Sequence, residues 1–491
     1  VSPVTRMRGA DAGFLYLETP AMHMHTLKIA VVDPTPDMTY ENLVKAMLFR
    51  LRRMPALRRR VVPVPFALNH PVLVTQRRLD PHRHFHRHDV GGTGSMRDLE
   101  RLIGEIASTP LDRSVPLWEI HLCEGLADGR VGIVGKIHHA LADGAAANAM
   151  LANVMDVGSA ELRPGFFSES AEGDEVPSRR RMVLEALRDA ALQLLVIPGL
   201  LARTARALTG MLRYRHRESR GVPLPIKDAP PTSFNGPLTA RRTFATATLP
   251  LADLKEVRRL HADSVAGLTL NDVVLAVTSG ALRRWLDAHD EHPRASLTAG
   301  VPVAMDPRDS DPRLFGNNVS NMFTTLATDV DDPVERLRVI SETARHAKAM
   351  NRHLGTSLAD WSQFTPPAPV SALVRAYSRH RGARFHNAPF SAIVSNVPGP
   401  RERVKIGGAQ LADVFSVGPL VEGIGLNVTV WSYVDRMNFS LLACPDLLPD
   451  VEVLASYLRP ALAELLGKPE PGAAAEPVAG DNDANKDQES A

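Results

Sequence analysis

The chain is 491 residues long, with 44% hydrophobic and 23% charged side chains, and its 57 basic and 55 acidic residues leave a net charge of only +2. That length exceeds what one hydrophobic core serves, so two or three lobes are expected, and so even a charge balance gives no electrostatic case for a nucleic-acid partner. Two cysteines, Cys123 and Cys444, are too few for a disulfide framework and lack metal-ligand spacing, which fits a reducing compartment and makes the cytoplasm the expected location.

The first segment, "VSPVTRMRGADAGFLYLETP", has no apolar run that could serve as a signal-peptide core. No segment of the sequence approaches the roughly 18 uninterrupted apolar residues of a membrane span. From Leu27 to about Asp156, short apolar runs such as "LKIAVVD" and "RVGIVGKI" predict strands. They alternate with helical patterns such as "TYENLVKAMLFRLRRM" and "SMRDLERLIGEIAS", so residues 1–160 read as an α/β lobe. Inside it, "PHRHFHRHD" spaces His82, His84, His86 and His88 at a period of two. On a strand those rings would share one face, a geometry that could hold zinc or nickel. Adjacent arginines and the lack of a separate acidic or cysteine cluster favour a solvated edge strand instead, and no metal is assigned.

Residues 161–236 shift to Glu, Ser, Pro and Arg and read as a basic, partly helical crossover linker. Its apolar stretch "ALQLLVIPGLLA" is too short to span a bilayer and is interrupted by Pro198 and Gly199. Arginines flank it, Arg203, Arg206 and Arg213 among them. Such a helix can lie in a membrane interface, or it can pack on its own protein with a solvated basic face; both readings stay open here. Residues 237–467 resume the alternation, with "TFATATLPL", "SLTAGVPVAM", "NVSNMFTTLAT", "SAIVSNVPG" and "GLNVTVWSYVDRMNFSLLAC" as strands and "TLNDVVLAVTSGALRRWLDAHD" as a long helix. Residues 468–491, poor in large apolar side chains, read as a disordered acidic tail.

Common nucleotide and hydrolase signatures are absent: no Walker loop, no Gly-x-Gly-x-x-Gly and no Gly-x-Ser-x-Gly elbow. The chemistry-bearing stretch is "VGIVGKIHHALADG", Val131 to Gly144. As a strand it places Val131, Ile133, Ile137 and His139 on one face, and Val134, Lys136 and His138 on the other, so the two imidazoles point apart. Asp143 can return toward the loop and fix its shape, while Gly144 allows a backbone conformation or close approach that a side chain would block. Without a serine or cysteine nucleophile motif, a neutral histidine suits direct general-base work, taking the proton of a hydroxyl as it attacks an already activated acyl carbon. A thioester supplies such a carbon.

"HHALADG" resembles the His-His-x-x-x-Asp-Gly motif of the coenzyme A-dependent acyltransferase superfamily, which includes chloramphenicol acetyltransferase and peptide-synthetase condensation domains. "DAGFLYLETPAMHMH", "PLDRSVPLWEIHLCEGLADGRVGIVGKIHHALADG", "LNDVVLAVTSGALRRWL", "FGNNVSNMFTTLATDVDDPVERL" and "SNVPGPRERVKIGGAQL" narrow the likeness. Together they resemble the bacterial wax ester synthase/diacylglycerol acyltransferase family, over about residues 9 to 466. The resemblance implies an α/β fold of two chloramphenicol acetyltransferase-like lobes with a tunnel between them and His139 at its middle. It implies acyl-CoA as co-substrate with no other cofactor, and diacylglycerol or a long-chain alcohol as acceptor. By the same likeness His139 is the general base, His138 and Asp143 hold the loop, and Asn271 orients or polarises the reacting groups, paired with Asp272. Asn317, Ser395 and Asn396 would border the acyl or coenzyme channel. The basic linker is unmatched in the resemblance, but its amphipathic character would let Arg203, Arg206 and Arg213 touch a membrane or lipid droplet. A sister transferase acting on a polyketide-type alcohol or a sugar, a wax ester synthase, and a weakly active lipid-binding paralogue are the alternatives.

Overall fold

The computed structural model describes residues 5–468 except 37, 52–53, 155–172, 219–221, 224–226, 228, 307–312 and 355–356. The tail expected to be disordered and the first part of the expected linker therefore lie outside the described residues, Lys468 and the linker from 173 onward apart.

Two six-stranded sheets organise the chain. The first runs in the order Lys405–Ile406, Ala409–Val417, His25–Asp33, Val131–His138, Trp118–Glu124, Phe85–Asp89, antiparallel except for the last pair. The second runs Val319–Thr325, Thr298–Ala304, Ala392–Val397, Leu426–Tyr433, Arg436–Ala443, Thr243–Pro250. A small sheet joins Thr5–Arg6, Val72–Thr75 and Arg59–Val62. The sequence reading puts everything from 237 to 467 in one lobe, yet Lys405–Val417 belongs to the first sheet, where Val417 pairs with Leu27. Strand pairing therefore departs from the order of lobes along the chain.

Both faces of the first sheet are covered, which is why its central strands are nearly continuous apolar runs. On one face Leu27, Ile29, Val31 and Val134 pack against Leu99, Leu102, Ile103 and Ile106 of helix Met96–Ala107. On the other, Ala30, Val32, Ile120 and Ile133 meet Met47 and Leu51 of helix Tyr40–Leu51, together with Trp431 from the second sheet. The second core surrounds helix Leu270–Ala288, whose Val273, Val274, Leu275, Val277 and Leu282 are fully buried. Burying each such side chain stabilises the fold by about 2 kcal/mol.

Two expectations change here. Strand Phe85–Asp89 is an edge strand, but it begins too late to align four histidines. His82 sits in the turn opened by Pro81, and His84 is buried against Trp118, with ring centroids 4.2 Å apart. Pro81 fixes the turn and breaks the period-two spacing. Among the described residues no group of three His, Cys, Asp or Glu side chains is arranged to hold a metal.

The basic segment is a single 40-residue helix, Arg179–Glu218, that continues through Pro198. It is anchored along one side: Met182 and Ala186 pack on Val64, Val72 and Val74; Arg6 pairs with Asp189; Trp361 Nε1 donates to Thr204 Oγ1. Those side contacts hold the helix on both sides of the proline, which costs one backbone hydrogen bond. No helix among the described residues is long and apolar enough to cross a membrane.

Candidate active site

Strand Val131–His138 ends where the two halves of the structure meet. His138 N donates to Leu117 O and His139 N to Met24 O at 2.7 Å, so both imidazoles leave a backbone pinned on each side. They separate as alternation requires. His138 is fully buried beneath the sheet, and its Nδ1 accepts from Ala140 N at 3.0 Å. The proton therefore sits on Nε2, which lies 3.5 Å from Glu18 Oε2. Burial alone would raise the Glu18 carboxyl, but His138 and the paired Arg113 guanidinium hold it down at about 2. His138 is an internal anchor.

His139 is half-buried on the other face and stacks on Phe14, centroids 4.2 Å apart and planes 19° from parallel. Its Nδ1 is 3.0 Å from Asn317 Oδ1. Asn317 Nδ2 is already committed as donor to Asp11 Oδ1 and to His139 O, both at 2.9 Å, and Asn317 N donates to Asp11 Oδ1 at 2.6 Å. With the amide nitrogen spent, Oδ1 must accept, so His139 carries its proton on Nδ1 and presents an unprotonated Nε2. Burial lowers the His139 pKa to about 4, against which Asp143 and Asn317 pull upward. The ring is neutral at neutral pH and can accept a proton at Nε2.

Asp143 holds the loop in place. Its Oδ1 accepts from Ala146 N, capping helix Gly144–Val154, while Oδ2 accepts from Asn318 N at 2.7 Å and from Arg313 Nη2 at 2.6 Å. Arg313 also pairs with Asp306. Gly316 N donates to Leu141 O at 2.6 Å, closing a short bridge between the two loops. The motif is thus fastened to the second half of the chain by the segment Arg313–Asn318.

The remaining expected residues divide. Asn317 is at the centre, its Oδ1 oriented on His139. Val397 belongs to the first-lobe core and Val394 to the second, so alternation puts Ser395 on the face toward Gly144 and turns Asn396 away. Asp272 has a local structural part: it forms the capping box of helix Leu270–Ala288 with Thr269 and accepts from Ser341 Oγ. Among the described residues no hydrogen bond joins Asn271 to the His139 loop. Gly144 is not demanded sterically either; a Cβ there would meet only Val397 Cγ2, at 3.8 Å, an ordinary contact. Arg203 and Arg213 are exposed on the long helix, Arg203 lies 3.9 Å from Asp360, and Arg206 Nε donates to Ala202 O. Asp11, Phe14, Glu18 and Arg313 received no role from sequence; the first three lie in "DAGFLYLETP", whose motif likeness was their only signal.

A histidine loop at the junction of two sheet-based lobes, with its second imidazole unprotonated at Nε2, defines a two-lobed acyltransferase of the chloramphenicol acetyltransferase kind. The model for the wax ester synthase/diacylglycerol acyltransferase catalytic domain matches residues 7–274, and that for the family's C-terminal domain matches 315–466. The chain belongs to the wax ester synthase/diacylglycerol acyltransferase family. It is 40% identical over 441 residues to a Mycobacterium tuberculosis protein named for diacylglycerol O-acyltransferase activity, covering 89% of this chain and 90% of that one. A second such M. tuberculosis protein is 33% identical over 467 residues, 94% and 90% of the two chains. Among solved structures, the wax ester synthase/diacylglycerol acyltransferase from Marinobacter aquaeolei VT8 superposes with a TM-score of 0.64 at 25% identity, covering 94% and 98% of the two chains. The first condensation domain of the calcium-dependent antibiotic synthetase shares the fold, with a TM-score of 0.56 at 16% identity over 94% of this chain and 97% of that one.

Proposed function

We propose that the protein moves a long-chain acyl group from acyl-CoA to the hydroxyl of diacylglycerol, with His139 as general base. The observation that carries the mechanism is the Asn317 amide, whose spent nitrogen leaves Nε2 of His139 as the free base. The acceptor oxygen attacks the thioester carbon as Nε2 takes its proton; collapse of the tetrahedral intermediate expels the coenzyme thiolate, which receives that proton. No covalent acyl-enzyme is needed. Asp143 and His138 position the loop, Ser395 faces it, and Asn271 is left without a role. Diacylglycerol as acceptor is supported by the names of the M. tuberculosis relatives, and a long-chain alcohol by the name of the Marinobacter protein. Purified protein with labelled palmitoyl-CoA should yield triacylglycerol when offered diacylglycerol, and less ester when offered hexadecanol. Preference for hexadecanol would make it a wax ester synthase, and fatty acid alone would mark a thioesterase or a vestigial site.

A water-insoluble acceptor needs the enzyme at a lipid surface. The outer side of helix Arg179–Glu218 exposes Leu184, Leu194 and Leu195 by 67%, 66% and 77%, beside exposed Arg203, Arg206 and Arg213. Apolar side chains next to arginines suit the boundary of an anionic membrane or lipid droplet. Changing those three arginines to glutamate should reduce sedimentation with anionic vesicles at least severalfold; undiminished binding would end this proposal.

A further inference from the structure

A cavity of about 90 Å³ lies in the first lobe beneath helix Tyr40–Leu51, walled by Leu43, Met47, Met54, Trp118, Ile137 and Met150. It opens on the sheet face that carries His139. Ile137 precedes His139 by two residues, and Met150 sits on the helix that follows the histidine loop. Apolar walls so placed suit a fatty chain extending from the reacting carbonyl.

One wall residue breaks the pattern. Lys28 pairs with Gly135 across the ladder and alternates to the cavity side, with Ala30 and away from Leu27 and Ile29. The other charged wall residue, Glu119, pairs with Lys136 across the ladder and carries its side chain on the opposite face of the sheet, where its carboxylate accepts from Lys136 Nζ. Lys28 is buried; its Nζ donates to Ser416 Oγ at 2.6 Å and lies 4.6 Å over the Trp431 ring. Among the described residues that hydroxyl is its single hydrogen-bond partner, and with the Trp431 ring face below it one further donor faces no acceptor. Directly beneath lies the ring face of the fully buried Trp431, whose Nε1 edge packs against Gly399 and turns away from Lys28. Nearby Asp143 cannot serve, being committed to Arg313, Asn318 and Ala146. Buried donors without acceptors are costly and call for an oxygen that arrives with a ligand.

We propose that Lys28 forms a subsite for an acceptor oxygen carried partway along the acyl chain, so that the enzyme favours acyl-CoAs with a mid-chain hydroxyl or oxo group. The inference rests on the acyl-CoA reading above. Four residues of strand separate Gly135 from His139, roughly 13 Å, which spans about ten chain carbons. A site that hydrogen-bonds a substrate oxygen discriminates against the analogue lacking it, because its own polar groups are then left unpaired. The Lys28 ammonium is lowered to about 8 by burial, and both its charged and its neutral form retain N–H donors.

The test compares octadecanoyl-CoA, 10-hydroxyoctadecanoyl-CoA and 3-hydroxyoctadecanoyl-CoA by Kd and by kcat/KM in the full chain. The wild type should favour the 10-hydroxy chain over the plain chain by about tenfold. The 3-hydroxy chain should gain nothing. Lys28→Met should abolish the preference, and Lys28→Gln, which keeps an N–H donor, should retain part of it. A ratio near one in the wild type, or an undiminished ratio in Lys28→Met, overturns the subsite; should the methionine variant not fold, the glutamine variant decides, an undiminished ratio there overturning it. Failure of every acyl-CoA to turn over would count against the transferase reading, and the ratio of Kd values would still settle the subsite.

Discussion

Replacing His139 by alanine is expected to lower kcat/KM by about 10²- to 10⁴-fold, the usual contribution of a positioned general base. The melting temperature should move little, because His139 is half-buried and its backbone bond to Met24 O does not depend on the side chain. The wild-type pH profile supplies the independent signature. A histidine whose pKa is lowered to about 4 is in its base form at every pH above that value. The acid limb of kcat/KM should therefore fall near pH 4, well below the ordinary histidine value of about 6.5. Asn317→Ala, which removes the acceptor fixing the ring tautomer, should lower kcat with only a small change in KM. Full activity in the His139 variant would remove the mechanism.

The second large effect is expected at Arg313. Replacing it by methionine leaves the buried Asp143 carboxylate without its cation, although Asn318 N and Ala146 N still donate to it. Breaking a buried ion pair on one side costs about 3 to 5 kcal/mol, and the partial exposure of Arg313 places this case at the lower end. Chemical denaturation should show a loss of about 3 kcal/mol, with activity lost alongside it as the histidine loop detaches from Asn317. The double variant with Asp143→Asn should recover part of the stability, because the uncompensated charge is gone. If the single variant were as stable as the wild type, the junction would not depend on this pair.

What could be read before the structure follows from how local each signal is. The separation of His138 from His139 needs only the period of a strand, and the helix from Leu270 needs only its apolar spacing and a Thr269–Asp272 cap. The partners of His139 are different in kind. Asp11, Asn317 and Arg313 meet the loop from elsewhere in the chain, across separations of up to 306 residues between Asp11 and Asn317, and no local pattern encodes such a meeting. Asp272 is the opposite case: an Asn-Asp pair in a matching motif suggested chemistry, and the structure gives its carboxylate a local part in the first turn of a helix. The histidines from 82 to 88 misled because Pro81 turns the chain before the strand begins at Phe85.

Strand Ala409–Val417 also bears on how the chain is made. Lys28 and Ser416 touch across 388 positions, and the strand containing Ser416 completes the flank of the sheet that supports the histidine loop. As a ribosome releases the chain N-terminal end first, strand His25–Asp33 gains Val131–His138 early but must wait until residue 409 for its second neighbour. Until then its edge is unpaired, the situation in which nascent chains associate wrongly or recruit chaperones. A nascent chain arrested before residue 405 should accordingly remain protease-sensitive around His25–Asp33, and competence for catalysis should appear only after synthesis has passed Val417.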